Sequence, residues 1–246
     1  SVYVHPVTKH RVAKHVDDLM TRGTKEVNAW FKSECNKRFP VKGWHHLACD
    51  NSVIWCGVKY LMRRHNGVVQ YGLTQMDDIR DFLDMHGYTG VQQVNEPMAN
   101  RKELYSDARG VTDEEHSWLR SVVGTLSYYA DKTMYMIAAE VNIIAQHLAK
   151  PTQGTLKATR RVLAYLAQSG VWDKVFWVNR TNKSVWTTYV DSDWAGEREY
   201  SHTKSRTGVI ILLNGLPVFW RSNKQPDTSL SSCLLYTSDA ADERRC

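Results

Sequence analysis

Long apolar runs are missing from this sequence. The longest, GVIILL, stops at Asn214-Gly215, far short of the roughly 18 residues a membrane-crossing helix needs, so a helical membrane span is excluded. Metal-type spacing is missing as well. The five cysteines, at positions 35, 49, 56, 233 and 246, are odd in number and form neither a CxxC pair nor a His-paired zinc pattern. That removes a zinc module and a disulfide framework, and implies a reducing, intracellular setting. The N-terminus, SVYVHPVTKHRVAKHVDD, lacks a positive segment followed by an apolar core, so no targeting signal is read; starting without Met, it reads as an interior cut of a longer chain. Internal repeats and low-complexity tracts are absent too.

What is present suits a globular protein. At 246 residues with 42% hydrophobic content, the chain is long enough for one large or two ordinary domains with real cores. The net charge of +6 suits an anionic partner such as nucleic acid.

The pattern is mixed, and an α+β fold is expected. A strand and turn cover residues 12 to 22, then an amphipathic helix from Thr24 to Arg38 puts Val27, Trp30, Phe31 and Cys35 on one face. SVIWCGVKYLMRR and GVVQYGLT read as two strands around His65-Asn66-Gly67, the Asn-Gly pair being a strong hairpin signal. Thr74 with Asp77 forms a capping-box pattern ahead of Ile79, Phe82 and Leu83, and Gly87 closes that helix. Residues 88 to 112 lack periodicity and carry Gly90, Pro97 and Gly110, so they read as a linker. Three helices follow. The first starts at a second capping-box pattern, Thr112 with Glu115, and carries Leu119, Val122, Val123 and Leu126; the second carries Ile137, Val141, Ile144 and Leu148; the third carries Val162, Leu163 and Leu166 before Gly170. From Lys174 the runs KVFWV, SVWTTYVD and TGVIILLNGLPVFW are short, β-branched and aromatic, and residues 184 to 222 are expected to form three antiparallel strands.

Two pairs of acids draw attention. Asp191 and Asp193 lie two apart at a strand end, a spacing that puts both on one face where they can share a cation. Asp17 and Asp18 sit side by side at a predicted tight turn. Either pair, taken alone, reads first as a solvated charge cluster. The surrounding text changes that weighting. YVDSDWAG, KSRTGVIILLNG and PVFWRSNKQP resemble, in order and spacing, the start of the RNase H domain of copia-type retrotransposon polyproteins, whose usual form is close to YSDADWAG followed by a Trp-Ser-Ser-Lys-Lys-Gln strand. HVDDLM, at His15 to Met20, resembles the Tyr-x-Asp-Asp motif of the same family's reverse transcriptase, and WCGVKY resembles its FLGI segment. The stretches LRSVVGTLSYYADKTMYMIAAEVNIIAQHLAKP and TLKATRRVLAYLAQSG look like its thumb and connection helices, so the resemblance spans roughly residues 12 to 232.

This resemblance implies the end of a reverse-transcriptase palm over residues 1–87, a linker over 88–112, thumb and connection helices over 113–170, and a truncated RNase H-like α/β domain with antiparallel strands over 171–232. It implies metal-binding and catalytic roles for Asp17, Asp18 and Asp191, with Asp193 as a further metal ligand, and nucleic-acid contacts by Arg198, Lys204 and Arg206. Magnesium is the implied cofactor, because two hard cations on carboxylate oxygens neutralise charge and activate water in phosphoryl chemistry. The implied partners are an RNA template, a DNA primer and their RNA–DNA hybrid, with the parent element working in a cytoplasmic particle or the nucleus. Trp194 is expected either to cover the strand end or to contact substrate, and the other tryptophans are expected to be core or partly buried anchors.

The departures matter equally. His15 stands where the family has Tyr, DKTMYM replaces Thr-Arg-Pro-Asp-Ile, and Thr155 replaces a His. A third polymerase acid is expected on an earlier strand, before Ser1. After Ser232 the family's Thr-Glu-Ala-Glu-Tyr helix is replaced by CLLYTSDAADERRC, which reads as a non-native tail over 233–246. The expected function is therefore a piece of a polyprotein that copies RNA into DNA and degrades the RNA strand, the piece itself lacking a complete site. A domesticated nucleic-acid-binding protein without catalysis, or a pseudogene product, is the alternative.

Overall fold

Thr112 opens a helix, and so does Thr152, each by the same chemistry: a hydroxyl accepts the N–H three residues on, while the side chain at that third position returns a bond to the cap's own N–H. In the computed structural model these two capping boxes lie side by side. The structure describes residues 1–39, 41, 43–88, 94–98, 101–168, 170–179, 183–193 and 205–225. By contacts the chain divides into two compact units, Ser1–Leu73 and Thr74–Cys246.

The first unit is built on hairpins. Strands β1 (Val2–Val4), β2 (Arg11–His15) and β3 (Asp18–Arg22) form an antiparallel sheet in the order β1-β2-β3. Helix α1 (Lys25–Arg38) follows, capped by Thr24, whose hydroxyl accepts from the Val27 N–H. Its apolar face is less covered than the periodicity implied. No residue of α1 is buried, and Trp30 is 58% exposed. The ring that does pack is Phe31, which lies 5.0 Å from His10 and 6.2 Å from Trp44. His10 is buried beneath it, with Nε2 at 3.0 Å from Asn28 Oδ1. The backbone comes so close at Gly23 that a Cβ there would lie 2.5 Å from His10 Cδ2.

The run 52–64, read from sequence as one strand, is two. Strands β4 (Ser52–Trp55) and β5 (Val58–His65) fold back on one another at Cys56-Gly57, and strand β6 (Val68–Thr74) follows after Asn66-Gly67. Both turns place two consecutive residues at positive φ, 52° and 72° in the first, 49° and 76° in the second, which is the twist a two-residue hairpin requires. Asn tolerates that backbone and announces itself; Cys does not, and so gives no warning.

The second unit holds the main core. Its helices are α2 (Met76–Met85), α3 (Asp113–Lys132), α4 (Ala138–Ala145) and α5 (Gln153–Leu166). Leu119, Val122, Val123 and Leu126 of α3, Val141 and Ile144 of α4, and Val162, Leu163 and Leu166 of α5 are all buried, as their helical spacing predicts. Ile79 and Leu83 of α2 join them, and the Tyr129 hydroxyl donates to the Asp78 carbonyl at 3.1 Å. Burial pushes that phenol up to about 12, so it stays a donor at any physiological pH. The capping box read at Thr74 and Asp77 does not form. The cap of α2 is Gln75, without a side-chain bond, because the Thr74 hydroxyl instead accepts from the Met76 N–H and donates to the Lys174 carbonyl. The expected second helix is shorter than its pattern: Ile137 sits in a 3-10 turn, Tyr135–Ile137, ahead of α4, and Leu148 lies beyond its end.

Residues 101–110, within the segment read as a linker, add to this core. A 3-10 turn at Arg101–Tyr105 buries Leu104, and Gly110 bridges to Thr152. The carbonyls of Asp107 and Arg109 accept the N–H groups of Gly154 and Gln153, so the segment caps the start of α5. Bonds from Arg109 hold the Asp107 carboxyl down at about 2. Gln153 in turn donates to Glu115 Oε2 at 2.9 Å, the same oxygen that accepts the Thr112 N–H.

Strand β7 (Phe176–Asn179) precedes a three-stranded antiparallel sheet of β8 (Trp186–Asp193), β9 (Arg206–Leu213) and β10 (Leu216–Lys224), in the order β10-β9-β8, with Asn214-Gly215 as its turn. Trp220 of β10 ties the sheet to α3, its indole N–H donating to the Ala130 carbonyl.

Two outcomes test this account. Gly23→Ala should displace His10 and cost the first unit about 1–3 kcal/mol, seen as faster hydrogen exchange over residues 10–31. Glu115→Ala should lower stability by about 1–2 kcal/mol, and a double-mutant cycle with Gln153→Ala should give a coupling energy of about 0.5 kcal/mol or more.

Candidate catalytic hairpin and carboxylate strand

The acids of the first unit owe their position to a turn. His15 pairs with Asp18 across the β2-β3 ladder, leaving Val16 and Asp17 as a two-residue loop. Val16 has φ 48°, a left-handed backbone that a β-branched side chain adopts at a cost of about 1–2 kcal/mol. Five cross-strand pairs hold it there, together with a reciprocal bond pair between Ser1 and Lys14. Asp17 thus stands at the hairpin tip and Asp18 opens β3, both exposed. Among the described residues neither carboxylate makes an ion pair or hydrogen bond. The unit around them is strongly basic: residues 1–73 contain twelve Lys and Arg against five Asp and Glu, a net +7, which leaves −1 on the remainder of a chain whose total is +6.

Asp191 lies two residues before the end of β8, exposed, opposite Gly208 of β9. Asp193 is the last residue of β8 and stands opposite Arg206. Arg206 is buried, with Nη1 donating to Asn142 Oδ1 of α4 at 2.6 Å and to the Ser222 carbonyl at 3.4 Å. Its guanidinium is a tie between sheet and helix. The signal for this was in the alternation: positions 206, 208, 210 and 212 share a face, and that face carries Ile210 and Leu212. Arg198, Lys204 and Trp194 lie outside the described residues. Of the tryptophans expected as anchors, Trp186 is 62% exposed on β8, whereas Trp118 is half-buried, donating to His86 Nδ1 at 3.3 Å.

Oxygen-rich carboxylates are the right donors for a hard divalent cation. Among the described residues, however, no three His, Cys, Asp or Glu side chains gather closely enough to hold one. Asp17 and Asp18 place two adjacent exposed carboxylates in the first unit, and Asp191 places one in the second. Arg206→Ala should therefore act through stability, costing about 1.5–3 kcal/mol by leaving Asn142 and the Ser222 carbonyl without their charged donor, as a lowered urea midpoint would show.

No protein-family model matches the chain, and no solved structure does. Curated relatives exist. The retrovirus-related Pol polyprotein from transposon RE1 of Arabidopsis thaliana is 32% identical over 162 residues, covering 65% of this chain and 10% of that protein. The corresponding polyprotein from transposon RE2 is 31% identical over 160 residues, covering 65% of this chain and 11% of that protein. Secreted RxLR effector protein 161 of Plasmopara viticola is 37% identical over 112 residues, 46% of this chain and 76% of the effector. The chain spans about a tenth of the length of the two polyproteins it matches. Over the matched stretches about a third of the residues are identical: the chain belongs to the sequence family of the Plasmopara viticola effector, and its similarity to the two Pol polyproteins supports a piece of a retrotransposon polyprotein.

Proposed function

We propose that the chain carries the catalytic hairpin of a copia-type reverse transcriptase, the thumb and connection helices after it, and the opening strands of the RNase H domain, and that its partner is an RNA–DNA hybrid. One observation carries this reading: a strained two-residue turn presents two unpaired carboxylates at the open tip of a unit with net charge +7. An acidic tip in a basic surround is the electrostatic arrangement that phosphoryl transfer on a polyanion needs, since the basic surface draws the backbone in while the acids locate cations.

Asp17 and Asp18 would hold magnesium in the polymerase part, and Asp191 with Asp193 in the ribonuclease part. When bound, the metal supplies charge neutralisation and an activated oxygen nucleophile. The chain's own residues do the positioning: the β2-β3 ladder fixes the two acids at the tip, and the β8-β9 register sets Asp191 opposite Gly208, which brings no side chain of its own beside it. His15, beside the tip, is smaller than the family's Tyr, which weakens a primer-end contact. Among the described residues neither acid set gathers the three ligands a cation would need.

A second reading has one observation in its favour. The Plasmopara viticola effector is a short protein, of which 112 matched residues make up 76%, so sequence of this kind also exists outside a polyprotein. On that reading the chain binds nucleic acid without catalysis.

A gel assay with labelled RNA–DNA hybrid and primer–template tests the proposal. The purified chain is expected to bind hybrid in a salt-dependent way but neither to extend a primer nor to cut RNA. Joined to the upstream palm and downstream ribonuclease segments of a copia-type polyprotein it should gain magnesium-dependent activity, with Asp18→Asn abolishing extension alone and Asp191→Asn abolishing cleavage alone. Magnesium-dependent cleavage by the unextended chain, lost in Asp191→Asn, would overturn the account of incomplete sites.

A further inference from the structure

Arg11 and Arg22 stand directly opposite each other across β2 and β3. Residues in that relation have their Cβ atoms about 5 Å apart, and like charges placed so destabilise a sheet unless something neutralises them. Nothing described in the protein does. Both side chains are exposed, and among the described residues neither guanidinium makes an ion pair or hydrogen bond.

The register shows what shares their face. Pairs two apart along an antiparallel ladder project to the same side, so the Arg11–Arg22 row, the Ala13–Met20 row and the His15–Asp18 row lie on one surface. Strand β1 extends it, with Val4 beside Arg11 and Val2 beside Ala13, 55% and 70% exposed. The opposite face takes Thr21, whose hydroxyl donates to Asn28 of α1. The open face therefore has a cationic end, a shallow apolar middle and an acidic end.

Four residue steps along β3 separate Asp18 from Arg22, about 14 Å at the usual rise. A duplex rises about 3.4 Å along its axis per nucleotide step, so the same length measured along that axis is about four steps. We propose that this face of the β1-β2-β3 sheet is a track for one strand of the hybrid: the Arg11–Arg22 pair grips its phosphates about four nucleotides from the position addressed by Asp18, with sugars over Val2, Ala13 and Met20. The bound backbone supplies the negative charge that the arginine pair lacks. This assignment rests on the reading of the partner as RNA–DNA hybrid and adds which surface and residues hold it.

The test uses the whole chain, with fluorescence anisotropy of a labelled RNA–DNA hybrid measured across a range of salt. Arg11→Gln/Arg22→Gln is compared with Lys32→Gln/Arg64→Gln, which removes the same charge from α1 and β5. The first double variant should lower the slope of log affinity against log salt by about 2, and the second should leave it nearly unchanged. Removing the like-charge pair should also leave the melting temperature of the free protein equal to or above that of the parent, which separates lost binding from lost folding. Equal losses in both double variants would overturn the track while leaving the hybrid as partner. Absence of binding by the parent chain at low salt would overturn the partner and the track together.

Discussion

A two-residue turn between antiparallel strands tolerates very few backbone conformations, and that constraint sets the geometry of this protein. Once the turn is closed, every cross-strand pair behind it is fixed, and with it the face each side chain occupies. The closures at Val16-Asp17, Cys56-Gly57, Asn66-Gly67 and Asn214-Gly215 each include left-handed backbone. Shifting the first by one residue would move Asp18, Arg11 and Arg22 to the side that faces α1. The tip with Val16 is the costly one, since a branched side chain gains nothing locally from a left-handed backbone; ladder bonds on both sides hold it in place.

In the second unit the equivalent constraint is the satisfaction of helix ends. The first turns of α3 and α5 leave N–H groups without helical partners, and the chain answers with two threonine caps, two carbonyls from Asp107 and Arg109, and one shared carboxylate, Glu115. Thr155, where the family has His, fills a role in this node: it is the third residue of the α5 capping box and is buried. A departure from the family pattern is thus absorbed by local hydrogen bonding.

Charge divides along the same line as structure. The first unit holds all of the net positive charge and the second is close to neutral, so attraction to a polyanion is concentrated where the Asp17-Asp18 tip lies. Among the described residues Asp17 and Asp18 stay unpaired, while Glu34 pairs with Lys37 in the same unit.

Much was legible in the sequence alone: the helices of the core through their 3.6-residue spacing, the Thr112-Glu115 box, both Asn-Gly hairpins, the placement of Asp17 and Asp18 at a turn, and Asp191 near the end of the first of three strands. These are local properties, written in residues a few positions apart. The hairpin at Cys56-Gly57 was hidden because Cys is a poor advertisement for left-handed backbone. The cap at Thr74 went elsewhere because Lys174, a hundred residues on, offered its carbonyl. Arg206 was buried by Asn142, and Leu104 entered the core from a segment without periodicity. The facing of Arg11 and Arg22 likewise depended on register. Sequence determined the elements because their forces are short-ranged; tertiary structure alone decided which polar groups met, since hydrogen bonds and cross-strand pairs join residues that only folding brings together.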